Sequence, residues 1–411
     1  MTHRFVLGNL AALLLPALAS LAQQAPDFAA INAAFGIPVW ADDNLWDDAD
    51  EQVASRLKLP QESRTSTDSS YRVYAGPQSR VLGARPFSVA FYGRDGKADR
   101  FSMVFANKGD LAGEDPKTHR PSDEYKKQIT ADAKTIGESL TRVLGPPKID
   151  QFGQDAKTRE NVKRWDWKGH TILLAAPRGE YVAVRVVPTA KADGRLPARI
   201  SGSALGKVVK SRIEHRVNGD VVLKDIPMVD QGPKGYCVPA TWERALRYMG
   251  IPADMYVLAM AGQTEAGGGT SLQAMMAGAS EIVALSGRRL IPAGGRISTQ
   301  SVSRFIDQGL PILWGMYFVE DEEVAISKRS MLRSGVTDWA AYKQMLKPWR
   351  QAARRIRTNP EGSHMCMIIG YNTATGEIAI SDSWGPAFAE RWITEEEANA
   401  ISQNDLTVIG R

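Results

Sequence analysis

The sequence predicts an α+β chain in two parts: an N-terminal α+β domain, made of an antiparallel sheet with one long helix, and a second domain in which a helical lobe faces an antiparallel sheet. Three observations carry this reading. Short apolar segments flank a single long stretch of helical periodicity between residues 87 and 188. A passage mixing Gly, Pro, Ala and Ser with single charges interrupts the pattern at 189–212. Beyond it a helical pattern opens at Cys237, and two apolar strand patterns follow around Thr375-Gly376.

Composition sets the frame. With 43% hydrophobic and 24% charged residues among 411, the chain is globular, and its length suits two domains, each with its own core. A formal charge of +5 gives no support for a nucleic-acid partner, and two cysteines are too few for a disulfide scaffold. The start carries Arg4, an apolar stretch from Leu10 to Ala19 and small residues at Ser20 and Ala22. This is the pattern of an export signal at 1–22, too short to span a bilayer, and it implies a periplasmic or extracellular destination.

The first domain is expected over 23–188. Six acids between Asp42 and Glu51 form an acidic leader, expected to begin a short helix with Leu45, Trp46 and Val53 on its apolar side. Strands at FSVAFYG from Phe87 and RFSMVFA from Arg100 are joined by Asp95-Gly96, a dipeptide suited to the positive φ angles of a tight hairpin. From Ser122 to Leu144, Tyr125, Ile129, Ala133, Ile136, Leu140 and Val143 recur at steps of three and four, with Ser122 as N-cap and Gly145-Pro146-Pro147 as the stop. Strands at Val162, His170 and Tyr181 complete the domain. The passage at 189–212 is expected to be a linker, and 213–411 the second domain, opened by a hairpin around Asn218-Gly219.

Cys237 directly precedes a helical pattern in which Trp242, Ala245, Leu246 and Met249 share a face. Unpaired N–H groups and the positive end of the helix dipole favour a thiolate there, as a nucleophile requires. Pro239, in the first turn, removes only an N–H with no intrahelical partner. The base comes from a short list of histidines. His364 alternates with Cys366 and Ile368 on a strand that is apolar on both faces, so the strand is buried. An antiparallel hairpin turning near Thr373 brings His364 opposite Asp382, and a carboxylate bonded to one ring nitrogen leaves the other to take the thiol proton.

Gln231, six residues before Cys237, then His364 and the D-S-W-G of Asp382 to Gly385, stand in an order that resembles papain-like cysteine peptidases over roughly residues 220–411. The C-x-P-A-T at Cys237 is similar to the bacterial branch that includes the bacteriocin-leader-processing, or C39-like, peptidases. The resemblance implies a papain-like fold for the second domain and four roles: Cys237 as nucleophile, His364 as base, Asp382 as orienter and Gln231 in the oxyanion hole. It also implies that Trp384 shields the His–Asp bond beside the substrate. The reaction implied is acyl transfer through a thioester, acting on a peptide or protein, with no metal or organic cofactor.

Other readings stand beside this one. Cys237 and Cys366 form an even pair that an oxidising compartment could close into a disulfide, structural or regulatory. The same thiol chemistry on a glutamine side chain gives a transglutaminase or deamidase, and a retired scaffold gives a binding or envelope protein. Gly267 to Gly269 form a flexible turn before an N-capped helix, or a cleft wall in which Gly268 and Gly269 pair with an extended substrate. The insertion at 320–360 holds nine bases and one acid between Ala325 and Pro360. Its Trp339, Tyr342, Met345, Leu346 and Trp349 fit an amphipathic helix whose basic face is solvated, or touches an anionic envelope surface or the acidic leader. The N-terminal domain is expected to pack on the second domain, as a propeptide-like inhibitor, a substrate-binding module or a scaffold.

Overall fold

The computed structural model describes residues 25–111, 121–194, 200–233 and 235–411. The expected export signal lies outside them. Strands β1 (Gln61–Arg64), β2 (Asp68–Tyr74), β3 (Ser88–Arg94), β4 (Lys97–Asn107), β5 (Lys148–Phe152), β6 (Glu160–Trp167), β7 (His170–Ala175) and β8 (Tyr181–Pro188) form one antiparallel sheet. Their order is β1-β2-β3-β4-β8-β7-β6-β5. Asp95 and Gly96, at φ 51° and 77°, close the hairpin that sets Arg94 opposite Lys97. The long helix, Asp123–Leu144, starts where the Ser122 hydroxyl accepts the Tyr125 N–H at 3.2 Å. It buries Tyr125, Ile129, Ile136 and Leu140 in a core with Phe101, Met103, Ile172 and Val184 of the sheet. The helix expected in the acidic leader begins late, at Asp50–Arg56, after a run of turns.

Residues 189–212 are not the bare linker expected. They include two helices, Thr189–Ala192 and Gly202–Ser211. Leu205 and Val209, one turn apart on the second, are buried in the core of the C-terminal domain, so that helix is part of the domain's packing.

The C-terminal sheet comprises β9 (Ile213–His215), β10 (Val221–Leu223), β11 (Arg289–Pro292), β12 (Ile312–Tyr317), β13 (Ser363–Asn372), β14 (Glu377–Ser381), β15 (Arg391–Thr394) and β16 (Ser402–Gly410). It runs β11-β16-β12-β13-β10-β9, with β14 pairing β13 and β15 pairing β14. Helices Cys237–Tyr248, Met255–Ala261 and Leu272–Leu285 form the lobe facing it. Trp242 and Leu246 from the lobe share a core with Trp314, Cys366 and Ile368 from the sheet.

The basic insertion folds as two helices, Glu320–Arg333 and Trp339–Ala352, rather than one. Only Tyr342 and Leu346 of its expected apolar face are buried. Arg329 and Arg333 point inward, pairing with Glu397 at 2.7 Å and with Asp220 and Glu377 at 2.6 and 3.0 Å, so part of the local charge is neutralised inside the protein. Among the described residues no helix is long and apolar enough to cross a membrane.

The two domains share a third core. Val104, Leu173, Ala175 and Ala183, on the sheet face away from the long helix, bury against Val229, Tyr236, Ala240, Met255 and Tyr256 of the C-terminal domain. The N-terminal sheet is therefore covered on both faces.

Candidate active site

Cys237 opens its helix, with Tyr236 as the N-cap. The helix is fixed against β13 by Thr241, whose hydroxyl donates to the Met365 carbonyl at 3.1 Å, one residue from His364. The thiol is half-buried, hydrogen-bonds the His364 imidazole and receives the N–H groups of Met365 and Val238. Burial alone would push the thiol pKa up; the His364 contact and the two backbone donors outweigh it and bring the pKa down.

His364 lies on β13 opposite Met316 of β12. Its Nε2 meets Asp382 Oδ1 at 2.8 Å, which leaves Nδ1 as the ring nitrogen toward the thiol. Both side chains are buried. Burial opposes the imidazolium, yet the Asp382 bond and the Cys237 thiolate raise His364 to about 10. Asp382 is held below the usual carboxylate range despite its burial, by His364 and by Arg391. The Trp384 ring stacks on the His364 ring at 4.5 Å and 24°. The hairpin carries one irregularity, between Ile368 and Gly370, before His364 and Asp382 come together.

Gln231 sits beside the same D-S-W-G turn. Its N–H donates to the Ser383 carbonyl and its Oε1 accepts the Ser383 hydroxyl, both at 2.8 Å, which turns the amide NH2 away from Ser383. The glycine run forms the turn expected before an N-capped helix, with the Ser271 hydroxyl accepting the Ala274 N–H at 3.4 Å. The Gly268 N–H donates to Glu265, the Gly269 N–H donates to Gly235, and the Gly269 carbonyl accepts from Glu265. A Cβ on Gly235 would lie 2.1 Å from the Gly268 Cα, so backbone passes directly over backbone there. With three of their four backbone polar groups engaged inside the protein, Gly268 and Gly269 support the loop before Cys237. The expectation that they pair with an extended peptide is corrected on that ground.

Residues 223–404 match the model of the Peptidase_C39 like family. The C-terminal domain is a C39-like member of the papain-like cysteine peptidases. No curated protein matches the chain.

Within this C39-like domain the two cysteines are both free thiols, so the disulfide expected as an alternative is not formed. Cys366 is buried in β13, donates to Met316 Sδ at 3.7 Å, and burial drives its thiol pKa well above the ordinary value. Two residues that touch the Asp382 end of the domain escaped the motif reading. Arg391 of β15 donates to Asp382 Oδ2 at 2.5 Å and to Glu323 Oε2 at 2.6 Å, and Glu323 comes from the first helix of the insertion. The available signal was chemical: a buried carboxylate beside a histidine calls for a cation, and R-W-I-T offers an arginine in an otherwise apolar strand.

Proposed function

We propose that the chain is an exported cysteine peptidase that hydrolyses peptide bonds through Cys237, His364 and Asp382, with Gln231 in the oxyanion hole. One observation carries the reading: a partly buried thiol at a helix N-terminus, in contact with an imidazole whose Nε2 meets a buried carboxylate at 2.8 Å. The two pKa shifts support each other: a protonated imidazole favours the thiolate, and the thiolate favours the imidazolium. The apolar stretch near the start of the sequence supports action outside the cytoplasm.

The placement of Cys237, His364 and Asp382 supports the following chemistry. The Cys237 sulfur attacks the peptide carbonyl carbon, and the carbonyl electron pair moves onto oxygen. Gln231 Nε2 and the Cys237 N–H stabilise that oxyanion, each worth about 2.7–4 kcal/mol by comparison with single donors removed elsewhere. His364 gives its Nδ1 proton to the amine as the C–N bond breaks, leaving a thioester. Water then loses a proton to His364 and attacks the thioester. The acid leaves, the thiolate returns, and Asp382 holds the ring throughout. Trp384, stacked on the imidazole, keeps water from the His–Asp bond.

Two measurements test this. Limiting iodoacetamide at pH 6 should modify Cys237 far faster than Cys366, and His364→Ala should slow Cys237 about 10²-fold as its thiolate fraction falls to that of an unassisted thiol. Incubation with a peptide mixture should yield new termini, read by mass spectrometry, that vanish in Cys237→Ala. Amine incorporation or deamidation at glutamine without new termini would assign the thiol to the transglutaminase chemistry instead. Equal, slow labelling of both cysteines would refute the peptidase.

A further inference from the structure

We infer that Glu62, Ser63 and Tyr74 of the N-terminal sheet are positioning residues for Gln231, so that the oxyanion hole of the C-terminal domain is assembled only with the N-terminal one in place. The inference rests on the peptidase reading above.

The segment that carries Gln231 has no regular secondary structure from Lys224 to Gln231. Its position is therefore set by the partners its backbone finds. Those partners come from β1 and β2. The Asp230 N–H donates to Glu62 Oε1 at 2.8 Å, and the Asp230 carbonyl accepts the Tyr74 hydroxyl at 2.7 Å. Two residues earlier, the Met228 N–H donates to the Ser63 hydroxyl at 2.9 Å. The residue directly before Gln231 thus has both backbone polar groups held by the other domain. On the following side, Gly232 at φ 78° lies against the Tyr74 ring, where a Cβ would approach to 3.0 Å. Ser383 grips Gln231 from the opposite side. The amide is clamped between the D-S-W-G turn and the edge of the N-terminal sheet.

Glu62 is itself held rigid. Arg72 Nε donates to it at 2.7 Å, and the same guanidinium donates to the Tyr92 hydroxyl at 3.0 Å. Tyr92 in turn reaches Glu243 on the nucleophile helix at 3.5 Å. One buried polar chain thereby joins the Gln231 segment to the Cys237 helix through the first domain. These contacts also account for buried polar side chains in β1 and β2 that do nothing for their own domain's apolar core. An oxyanion donor acts only when aimed where charge develops, and displacement by about 1 Å is enough to lose much of its effect.

The test uses the full chain and two probes of the same sulfur. Iodoacetamide is attacked with loss of iodide and forms no oxyanion. p-Nitrophenyl acetate is attacked at its carbonyl, passes through a tetrahedral oxyanion and releases p-nitrophenolate as the acetyl thioester forms, with Cys237→Ala as the blank. Tyr74→Phe and Ser63→Ala each remove one hydroxyl with little change in volume. Together they should slow acylation about tenfold while alkylation stays within about twofold, and Gln231→Ala should slow acylation about 10²-fold. In the Gln231→Ala background the same pair should cost less than about twofold, since both changes act through one group. The single variants carry the same comparison should the pair fail to fold. Unchanged acylation in the variants, or an equal tenfold loss without Gln231, overturns the inference. A wild-type thiol that neither alkylates rapidly nor acylates removes the peptidase reading and this inference with it, whereas fast wild-type chemistry with indifferent variants removes this inference alone.

Discussion

Two buried histidines, one in each domain, hold their protons in opposite ways. His170 on β7 is 0% exposed and surrounded by Trp40, Trp46 and Trp167, with ring centroids 5.4–5.7 Å away. Among the described residues neither of its ring nitrogens has a hydrogen-bond partner, and burial pushes its pKa down to about 4. His364 on β13 is 7% exposed, and there Asp382 and the Cys237 thiolate outweigh burial and raise it to about 10. Burial is common to both, so the ionic partners make the difference. The cysteines repeat the lesson: Cys366 is driven up by burial, while Cys237, beside the imidazole, is brought down. Reactivity in this molecule follows from the charge built next to a group more than from the depth at which it lies.

The comparison is broken most directly at Asp382. Asp382→Asn keeps the shape and removes the charge, leaving Arg391 close to the imidazole. His364 then loses the contact that most favours its proton, and the thiolate loses its counterion. Alkylation of Cys237 at pH 6 should fall by about tenfold or more, with the midpoint of the rate-against-pH curve moving to higher pH. An unmoved midpoint would mean that the thiolate alone keeps His364 charged. A step further out, Arg391 keeps Asp382 ionised. Arg391→Met leaves Glu323 as a buried carboxylate without its cation and Asp382 with His364 alone, which should cost about 3–5 kcal/mol in urea unfolding near neutral pH and less in acid, where carboxylates protonate. A change below about 1 kcal/mol would show that the Glu323–Arg391–Asp382 chain does not hold this end of the domain together.

Legibility in the sequence divides along the same physical line. Cys237 is readable because a helix start is written locally, in Pro239 and the periodic Trp242, Ala245 and Leu246. The His364–Asp382 contact is readable because a hairpin fixes register from its turn outward. β1, β2 and β5 are not readable as strands. In β2 the buried run Ser69, Ser70, Tyr71, Arg72 has no apolar alternation, because Ser69 and Arg72 meet Asp50 and Glu62 rather than an apolar core. Arg391 and Glu323 approach Asp382 only through tertiary packing, which no local spacing records. Leu205 and Val209 form too short an apolar face to stand out from a Gly- and Ser-rich passage, and that hid the helix within the expected linker. Gly268 and Gly269 showed their lack of side chains but not the backbone that makes use of it.

The smallest expected effect separates the two histidines by pH. An unfolded His170 titrates near 6.5 and the folded one near 4, so between those values the unfolded chain takes up a proton that the folded chain refuses. Its contribution to stability is present above about pH 6.5 and is lost as pH falls toward 4. His364 has the opposite sign: its contribution is complete below about 6.5 and disappears as pH rises through about 10. His170→Phe fills the aromatic box with a ring that cannot titrate. Between pH 7 and pH 4.5 the wild-type Tm should therefore drop further than that of His170→Phe, by a few degrees (~2–5 °C for a chain of this size). The two curves should run parallel from pH 7 to pH 9, where His170 is neutral in both states. If they stay parallel in acid as well, His170 accepts its proton inside the box, and the tryptophans hold it by cation–π contact rather than by excluding charge.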